Sequence, residues 1–417
     1  MRVAAAVSNP GSLARVKVSP AEGNLMPTYR YLIVGGGLAA DGACKGIRDV
    51  DQQGSIGVVG AEPHPPYLRP PLSKDLWKGD SEEKIWRGTA DLGVEMHLSR
   101  TVVELDLSEH EATDSEGETY AYERLLLATG GAPRRLPFGG DDVISYRTLD
   151  DYRRLRTFAD AHARAVVIGG GFIGSEVAAA LAMNGCPVTM VFPDPGVCSR
   201  IFPAELSAFV TDHYREKGVE VLAGGEVTGI ERDGDHVHVG TGDGQSLEAD
   251  VVVSGIGIAP NTELAEAAGL PVDDGIVVDA FGRVDGHEDV FAAGDVARFP
   301  EAGLDEPTRV EHEDHAKNHG RAVGKNMAGA NTPYDRMPFF YSDLFDLGYE
   351  AVGDLDARRE TVAEWKTPNR KGLIYYLDHE RRPRGVLLWN VWEHVDDARE
   401  LIKAGEPIDR RSLAHLL

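Results

Sequence analysis

The sequence predicts an α/β fold made of two dinucleotide-binding units, with a smaller α+β domain at the C-terminal end. Three observations predict it. An apolar strand near the start runs into a glycine-rich turn and a helix; the same unit recurs further along; and the last part of the chain changes to alternating strands closed by an amphipathic helix. At 417 residues the chain is long enough for two or three domains.

The first unit opens with a strand over Tyr29 to Val34 and the turn Gly35-Gly36-Gly37-Leu38-Ala39-Ala40. A helix then runs to about Asp49, and a second strand, Ser55 to Gly60, leads to Glu62. Gly35 and Gly37 allow the tight turn and a close approach of a pyrophosphate, Ala40 allows close helix packing, and the acid accepts from a ribose hydroxyl. In the second unit a strand from Arg164 to Ile168 precedes Gly169-Gly170-Gly171-Phe172-Ile173-Gly174 and a helix from Ser175 to Met183. The next strand, Pro187 to Phe192, is followed by Asp194. A single such turn is weak evidence, because glycine turns also serve packing; two complete units in one chain ask for two dinucleotides, against the bland alternative of a duplicated scaffold that binds nothing.

Three further strands follow the pattern: Leu125 to Gly131, continuing into Ala132-Pro133-Arg134; Val251 to Pro260, which contains Gly257; and Val290 to Val296, which contains Gly294-Asp295. Asp114 to Gly117 and Asp233-Gly234-Asp235 read as hairpin turns. Strands near Leu373 to Leu377 and Gly385 to Trp389, and a helix from about Val395 to Lys403, make up the last domain.

Composition excludes several classes. Hydrophobic residues are 42% and charged residues 27%, as in ordinary globular proteins, while 48 glycines are an excess that fits repeated approach of backbone to ligand. A net charge of −25 disfavours nucleic acid, and disfavours an acidic partner unless cations are gathered in one place. Glu176 interrupts the longest apolar run, so no membrane span is expected. Cys44, Cys186 and Cys198 form no C-x-x-C pair, which excludes a dithiol relay and points to a reducing, cytoplasmic setting. Residues 1–27 read as a disordered extension, with Met26 as an alternative start.

The order of these motifs resembles the glutathione-reductase-type flavoproteins, with two dinucleotide-binding domains and a small α+β C-terminal domain. Pro66-Tyr67-Leu68-Arg69-Pro70-Pro71-Leu72-Ser73-Lys74 narrows the likeness to the branch of the putidaredoxin reductase-like ferredoxin reductases and apoptosis-inducing factor. Arg309-Val310-Glu311-His312, Phe340-Tyr341-Ser342-Asp343-Leu344 and Leu387-Leu388-Trp389-Asn390 resemble apoptosis-inducing factor most.

The resemblance implies FAD in the first unit and NADH in the second. It assigns Gly35, Gly37, Ala40, Glu62, Arg69, Lys74, Thr129, Arg134, Gly294, Asp295, Glu311, His312 and Tyr341 to FAD. It assigns Gly169, Gly171, Gly174, Glu176, Asp194, Arg200 and Gly257 to NADH. Lys74 and Glu176 are the catalytic candidates, an ion pair that orients nicotinamide C4 against flavin N5. Asp194 repels a 2′-phosphate and so favours NADH, and Arg200 softens that preference. Tyr341 and His312 stand where many ferredoxin reductases have Trp. His315 and His319, at i, i+4 spacing, invite a zinc reading, but helical His pairs are more often packing residues, and no metal is expected.

The expected layout is an FAD-binding domain over 28–149 and 275–332, an NAD-binding domain over 150–274, and a C-terminal domain over 333–417. Lys366, Arg370, Lys371, Arg381, Arg382 and Arg384 form a basic cluster, either a solvated hairpin or a docking patch for an acidic ferredoxin. Three functions stay open. The leading one is an NADH-dependent FAD oxidoreductase that passes electrons to a ferredoxin-type iron–sulfur protein. The second is a redox-responsive binding protein resembling apoptosis-inducing factor, with a long-lived complex of reduced flavin and NAD. The third is a reductase of quinones or other small acceptors. The oligomeric state, monomer or homodimer, is left open.

Overall fold

Four consecutive buried residues close β1 (Thr28–Val34), because a parallel strand covered on both faces has no solvent side toward which to alternate. The structure, a computed structural model, describes residues 26–301, 307–337 and 339–408; the expected extension lies outside them as far as residue 25. β1 passes through the first glycine turn into α1 (Leu38–Val50) and β2 (Ile56–Gly60). β3 (Glu95–Leu98), β4 (Val102–Asp106), β5 (Glu111–Asp114) and β6 (Thr119–Leu127) extend the sheet in the order β3-β2-β1-β6-β5-β4. β1 pairs in parallel with β2 and β6, whereas β4 and β5 are antiparallel. The hairpin expected at Asp114 joins β5 to β6, its Asp114 carboxylate accepting from the Glu116 and Glu118 N–H groups.

After β7 (Gly131–Pro133) the chain enters a second sheet with β8 (Val143–Ser145), ahead of the boundary expected at Asp150. Two short strands look like one loop in sequence, so β8 carries no signal of which sheet it joins. α2 (Leu149–Asp160) leads to β9 (Ala165–Ile168), α3 (Phe172–Met183), β10 (Val188–Phe192), α4 (Ala204–Glu216) and β11 (Glu220–Ala223). An antiparallel meander of β12 (Val227–Asp233), β13 (His236–Thr241) and β14 (Ser246–Ala249) precedes β15 (Val251–Ser254). The resulting sheet is parallel, in the order β11-β10-β9-β15-β8.

β16 (Ile258–Pro260) then returns to pair with β7, a two-stranded link between the units. Past α5 (Glu263–Ala267) and β17 (Ile276–Val277), β18 (Val290–Ala292) lies back beside β6 in the first sheet. β19 (Ala297–Arg298) leads toward α6 (Glu313–Met327), which packs on α1. That contact is unusually close. A Cβ at Gly42 or Gly46 would stand 2.4 or 2.1 Å from the carbonyl oxygens of Lys317 and Arg321, and one at Gly320 or Gly324 2.2 Å from those of Ala39 and Ala43.

The last domain is an antiparallel sheet, β20 (Phe339–Leu344), β21 (Leu347–Gly353), β22 (Glu360–Thr367), β23 (Lys371–Leu377) and β24 (Pro383–Trp389), in the order β20-β21-β24-β23-β22. One face packs on the second unit, where the rings of Tyr349 and Trp389 meet Phe202 at 5.4 and 5.3 Å between centroids. α7 (Val395–Ala404) covers the other face with Ala398 and Ile402. Among the described residues no helix is long and apolar enough to cross a membrane.

Candidate active site

Both glycine turns begin with a residue that only glycine tolerates: φ is +122° at Gly35 and +118° at Gly169, and a Cβ would strike a facing carbonyl, Ala128 O at 2.1 Å and Gly255 O at 2.4 Å. The second glycines are different. A Cβ at Gly37 or Gly171 would meet nothing within 4 Å. Each of these glycines caps its helix without a side-chain hydrogen bond, so the first N–H donors of α1 and α3 are free for an anion. Two open, uncapped helix starts on one cavity are what two pyrophosphates need. The cavity measures about 2010 Å³, roughly twice the upper end of an ordinary ligand pocket.

Most of the residues expected at the site line this cavity. Gly35, Gly37, Glu62, Arg69, Lys74, Thr129, Asp295, Glu311, His312 and Tyr341 do so around the first cradle, and Gly169, Gly171, Glu176, Asp194, Arg200 and Gly257 around the second. Ala40 and Gly174 do not. They are buried packing positions, and a Cβ at Gly174 would lie 2.1 Å from Gly169 O. Gly294 is likewise a close-packed position, where a Cβ would lie 2.7 Å from the Ala39 Cβ. Arg134 is exposed and is absent from the lining, which includes Gly131, Ala132, Pro133 and Arg135; its side chain lies beside Gly257, where a Cβ would stand 3.9 Å from Arg134 Cδ.

At the centre, Lys74 Nζ lies 2.5 Å from Glu176 Oε1, with both side chains less than 10% exposed (8% and 5%). Ser342 Oγ donates to the same oxygen at 2.5 Å, and Ser73 Oγ donates to Oε2 at 2.5 Å. The ammonium also lies 5.6 Å from the centroid of the Tyr341 ring. Ser73 and Ser342 carry no local signal of this role, because the carboxylate they share is remote from both in sequence.

Around the first cradle, guanidinium and carboxylate groups alternate. Arg69 Nη2 donates to Glu62 Oε1 at 2.5 Å, while Tyr67 OH donates to Oε2 at 2.6 Å. Arg147 pairs with Asp295 at 2.9 Å and gives its carbonyl to Arg69. Arg309 donates to Glu311 at 2.5 Å and to the Asp295 carbonyl at 3.2 Å. Each carboxylate keeps a second lone pair per oxygen, so hydroxyls of a bound dinucleotide still find acceptors. Arg147 belongs to no motif and left no signal in the sequence. Thr129 is tied to Asn261 by two hydrogen bonds of 2.8 Å, which fix the strand crossing beside the cradle.

His312 caps α6, its Nδ1 accepting from the Asp314 N–H at 3.2 Å. Burial, with the Lys74 charge nearby, holds its pKa down at about 4, so the ring is neutral. Burial raises the Glu311 carboxyl above its ordinary value although Arg309 opposes the shift. Asp194 faces Arg200 Nε at 3.6 Å, a guanidinium that is 83% exposed. His315 and His319 are buried and packed against Phe299 and Tyr334. All three cysteines are free and buried, and burial pushes the Cys44 and Cys198 thiols up to about 12, far from the thiolate a relay needs.

The basic residues of the last domain fall into two groups. Lys366, Arg370 and Lys371 stand at one end of β23, and Arg381, Arg382 and Arg384 at the other, about 20 Å away along the strand. Arg381 and Arg382 are ion-paired with Glu360 and Glu380, and Arg370 lies over the Phe209 ring. The six cations are neighbours in sequence but form no single patch.

The family described as pyridine nucleotide-disulphide oxidoreductase matches residues 29–320, and the family described as apoptosis-inducing factor, mitochondrion-associated, C-term, matches residues 323–370. The chain is 32% identical over 433 residues to apoptosis-inducing factor 1, mitochondrial, of Dictyostelium discoideum, covering 93% of this chain and 81% of that protein. It is 34% identical over 403 residues to the ferredoxin–NAD(+) reductase component of the anthranilate 1,2-dioxygenase system of Burkholderia cepacia, covering 92% and 96%. Among solved structures, a chain of the covalent putidaredoxin reductase–putidaredoxin complex superposes with a TM-score of 0.85 at 31% identity, covering 92% of this chain and 95% of that one. The chain therefore belongs to the pyridine nucleotide-disulphide oxidoreductase family, as an FAD-dependent oxidoreductase that uses NAD(H), in the branch of the ferredoxin reductases and apoptosis-inducing factor.

Proposed function

We propose that the protein oxidises NADH and delivers the electrons to a ferredoxin-type iron–sulfur protein. The observation that carries this reading is the buried Lys74–Glu176 pair between two dinucleotide cradles, with no ionisable thiol beside it. Bound FAD would supply the acceptor of hydride and the source of single electrons. The protein's part is to bind, orient and exclude water. The free N–H groups after Gly37 and Gly171 would hold the two pyrophosphates, and Glu62 and Asp194 would accept from the ribose hydroxyls. Arg69, Thr129, Asp295, Glu311, His312 and Tyr341, which line the cavity around the first cradle, would hold the flavin. Lys74 and Glu176 would align the two rings, because hydride transfer needs the reacting atoms at contact distance and in line. The ferredoxin acceptor is supported by the names of the relatives, two of which are ferredoxin reductases or bind putidaredoxin. The buried, separated thiols fit a reducing compartment, and we assign the protein to the cytoplasm.

Replacing Lys74 with Ala is expected to slow NADH-driven bleaching of the flavin at least about tenfold in stopped flow while FAD stays bound; an unchanged rate removes Lys74 from the mechanism. A second reading, a redox-responsive binding protein, is favoured by the match of residues 323–370 to the apoptosis-inducing factor family. The NADH-reduced protein in air separates the two: persistence for minutes favours the binding protein, whereas immediate reoxidation by added ferredoxin favours the reductase.

A further inference from the structure

We propose that Ser73 and Ser342 are positioning residues that clamp Glu176 and, through it, hold Lys74 in working geometry. The inference rests on the role given above to the Lys74–Glu176 pair. Three segments far apart in sequence meet on this one carboxylate: Ser73 and Lys74 from the turn after the first unit, Glu176 from the first turns of α3, and Ser342 from β20 of the C-terminal domain. Oε1 receives Lys74 Nζ and Ser342 Oγ, and Oε2 receives Ser73 Oγ, all at 2.5 Å. Ser73 Oγ also lies near the Pro70 carbonyl, but at 3.4 Å. Its proton therefore goes to the charged acceptor, where a hydrogen bond is about twice as strong.

The placement of the two hydroxyls argues for more than packing. Ser73 precedes Lys74 and Ser342 follows Tyr341, and both of those neighbours line the cavity and face each other as ammonium and ring. A carboxylate held only by a lysine can turn about its own χ angles, and the long lysine chain turns with it. A carboxylate held on both oxygens from opposite walls cannot. Ser342 is 1% exposed and Glu176 5%, so no bulk water replaces a lost donor freely. The C-terminal domain thus completes the site with one hydroxyl.

The test compares Ser73→Ala, Ser342→Ala, the double variant and Ser73→Thr, which keeps the hydroxyl, as FAD-loaded proteins. Expected is a fall of about tenfold in the limiting rate of flavin reduction for each alanine, with the Kd for NAD⁺, read from a titration of the visible spectrum, held within about twofold. The double variant should lose much less than the product of the two losses, since both donors act on one carboxylate. Ser73→Thr should restore the rate. Wild-type limiting rates in both alanine variants overturn the clamp, as do losses that multiply fully or that Ser73→Thr fails to rescue at wild-type flavin content. Lys74→Ala run alongside separates the causes: if it too reduces at the normal rate, the reading of the ion pair fails, and if it is slow while the serine variants are normal, only the clamp fails.

Discussion

At the N-cap of α6, His312 presents two nitrogens to two backbone donors, Asp314 N–H at 3.2 Å and Tyr341 N–H at 3.4 Å, and a neutral ring accepts only one of them. The shorter contact is the cap, which leaves the proton on Nε2. Neutrality follows from burial, which lowers the pKa to about 4 here, to about 3 at His315 and well below 6.5 at His319. Unfolding releases all three to titrate near 6.5, so the unfolded chain binds more protons below that pH. Their contribution to stability is whole above about pH 6.5 and is lost as pH falls toward 4, at up to about 1.4 kcal/mol per pH unit for each histidine. Denaturation followed from pH 7 to pH 4.5 should show this slope, and His319→Leu should reduce it by one proton; an unchanged slope in the variant would mean that His319 is charged in the folded protein. Asp194 makes the other residue-scale prediction. Its partner Arg200 is exposed and so holds the carboxylate weakly, leaving it to repel a 2′-phosphate. NADH should exceed NADPH by at least about tenfold in kcat/KM, and Asp194→Ser should narrow the ratio; equal use of the two by the wild type would displace Asp194 from the ribose.

Secondary elements were legible wherever local pattern decides them. The strands and helices of both units fall within a few residues of expectation, because buried parallel strands read as unbroken apolar runs and glycine punctuates their ends. The pairing of α1 with α6 was not read, although its signal was present: Gly42 with Gly46, and Gly320 with Gly324, repeat small residues at i, i+4. That spacing puts bare backbone on one helix face and lets two helices approach until carbonyls touch Cα atoms. The contact sets where the His312 cap stands relative to the first cradle. Gly320→Ala should therefore destabilise the protein, since overpacking costs about 1–3 kcal/mol and the better helix propensity of alanine returns at most about 1. Gly37→Ala is the contrast: open space around its Cβ should leave the melting temperature near wild type while FAD affinity falls. Equal melting temperatures for the two variants would refute the close helix contact.

On the scale of the whole molecule, the two cradles and the order of motifs were readable, but not the surface that faces a partner. The six cations between Lys366 and Arg384 lie close together in sequence but not in space, because β23 runs its full length once between the two groups, and neighbouring glutamates neutralise two of the arginines. Similarly, Ser342 and Arg147 reach the site only through contacts made across domains, which no local pattern encodes. The consequence for the acceptor is electrostatic. With a net charge of −25 and these six cations divided between the two ends of β23, the long-range field repels an acidic ferredoxin at low ionic strength, and salt screens that repulsion over a Debye length that shrinks from about 30 Å at 0.01 M to about 10 Å at 0.1 M. Steering by a basic patch predicts the reverse, a rate that collapses as salt is added. Measured with an acidic [2Fe–2S] ferredoxin, kcat/KM should hold steady or rise between 0.01 and about 0.2 M NaCl. Lys371→Glu should make the low-salt rate worse by no more than about threefold, since one charge changes a field already set by the rest of the chain. A steep fall with salt in the wild type, abolished by Lys371→Glu, would mean that one end of β23 is a docking site after all, and that local charge overrides the field of the whole protein.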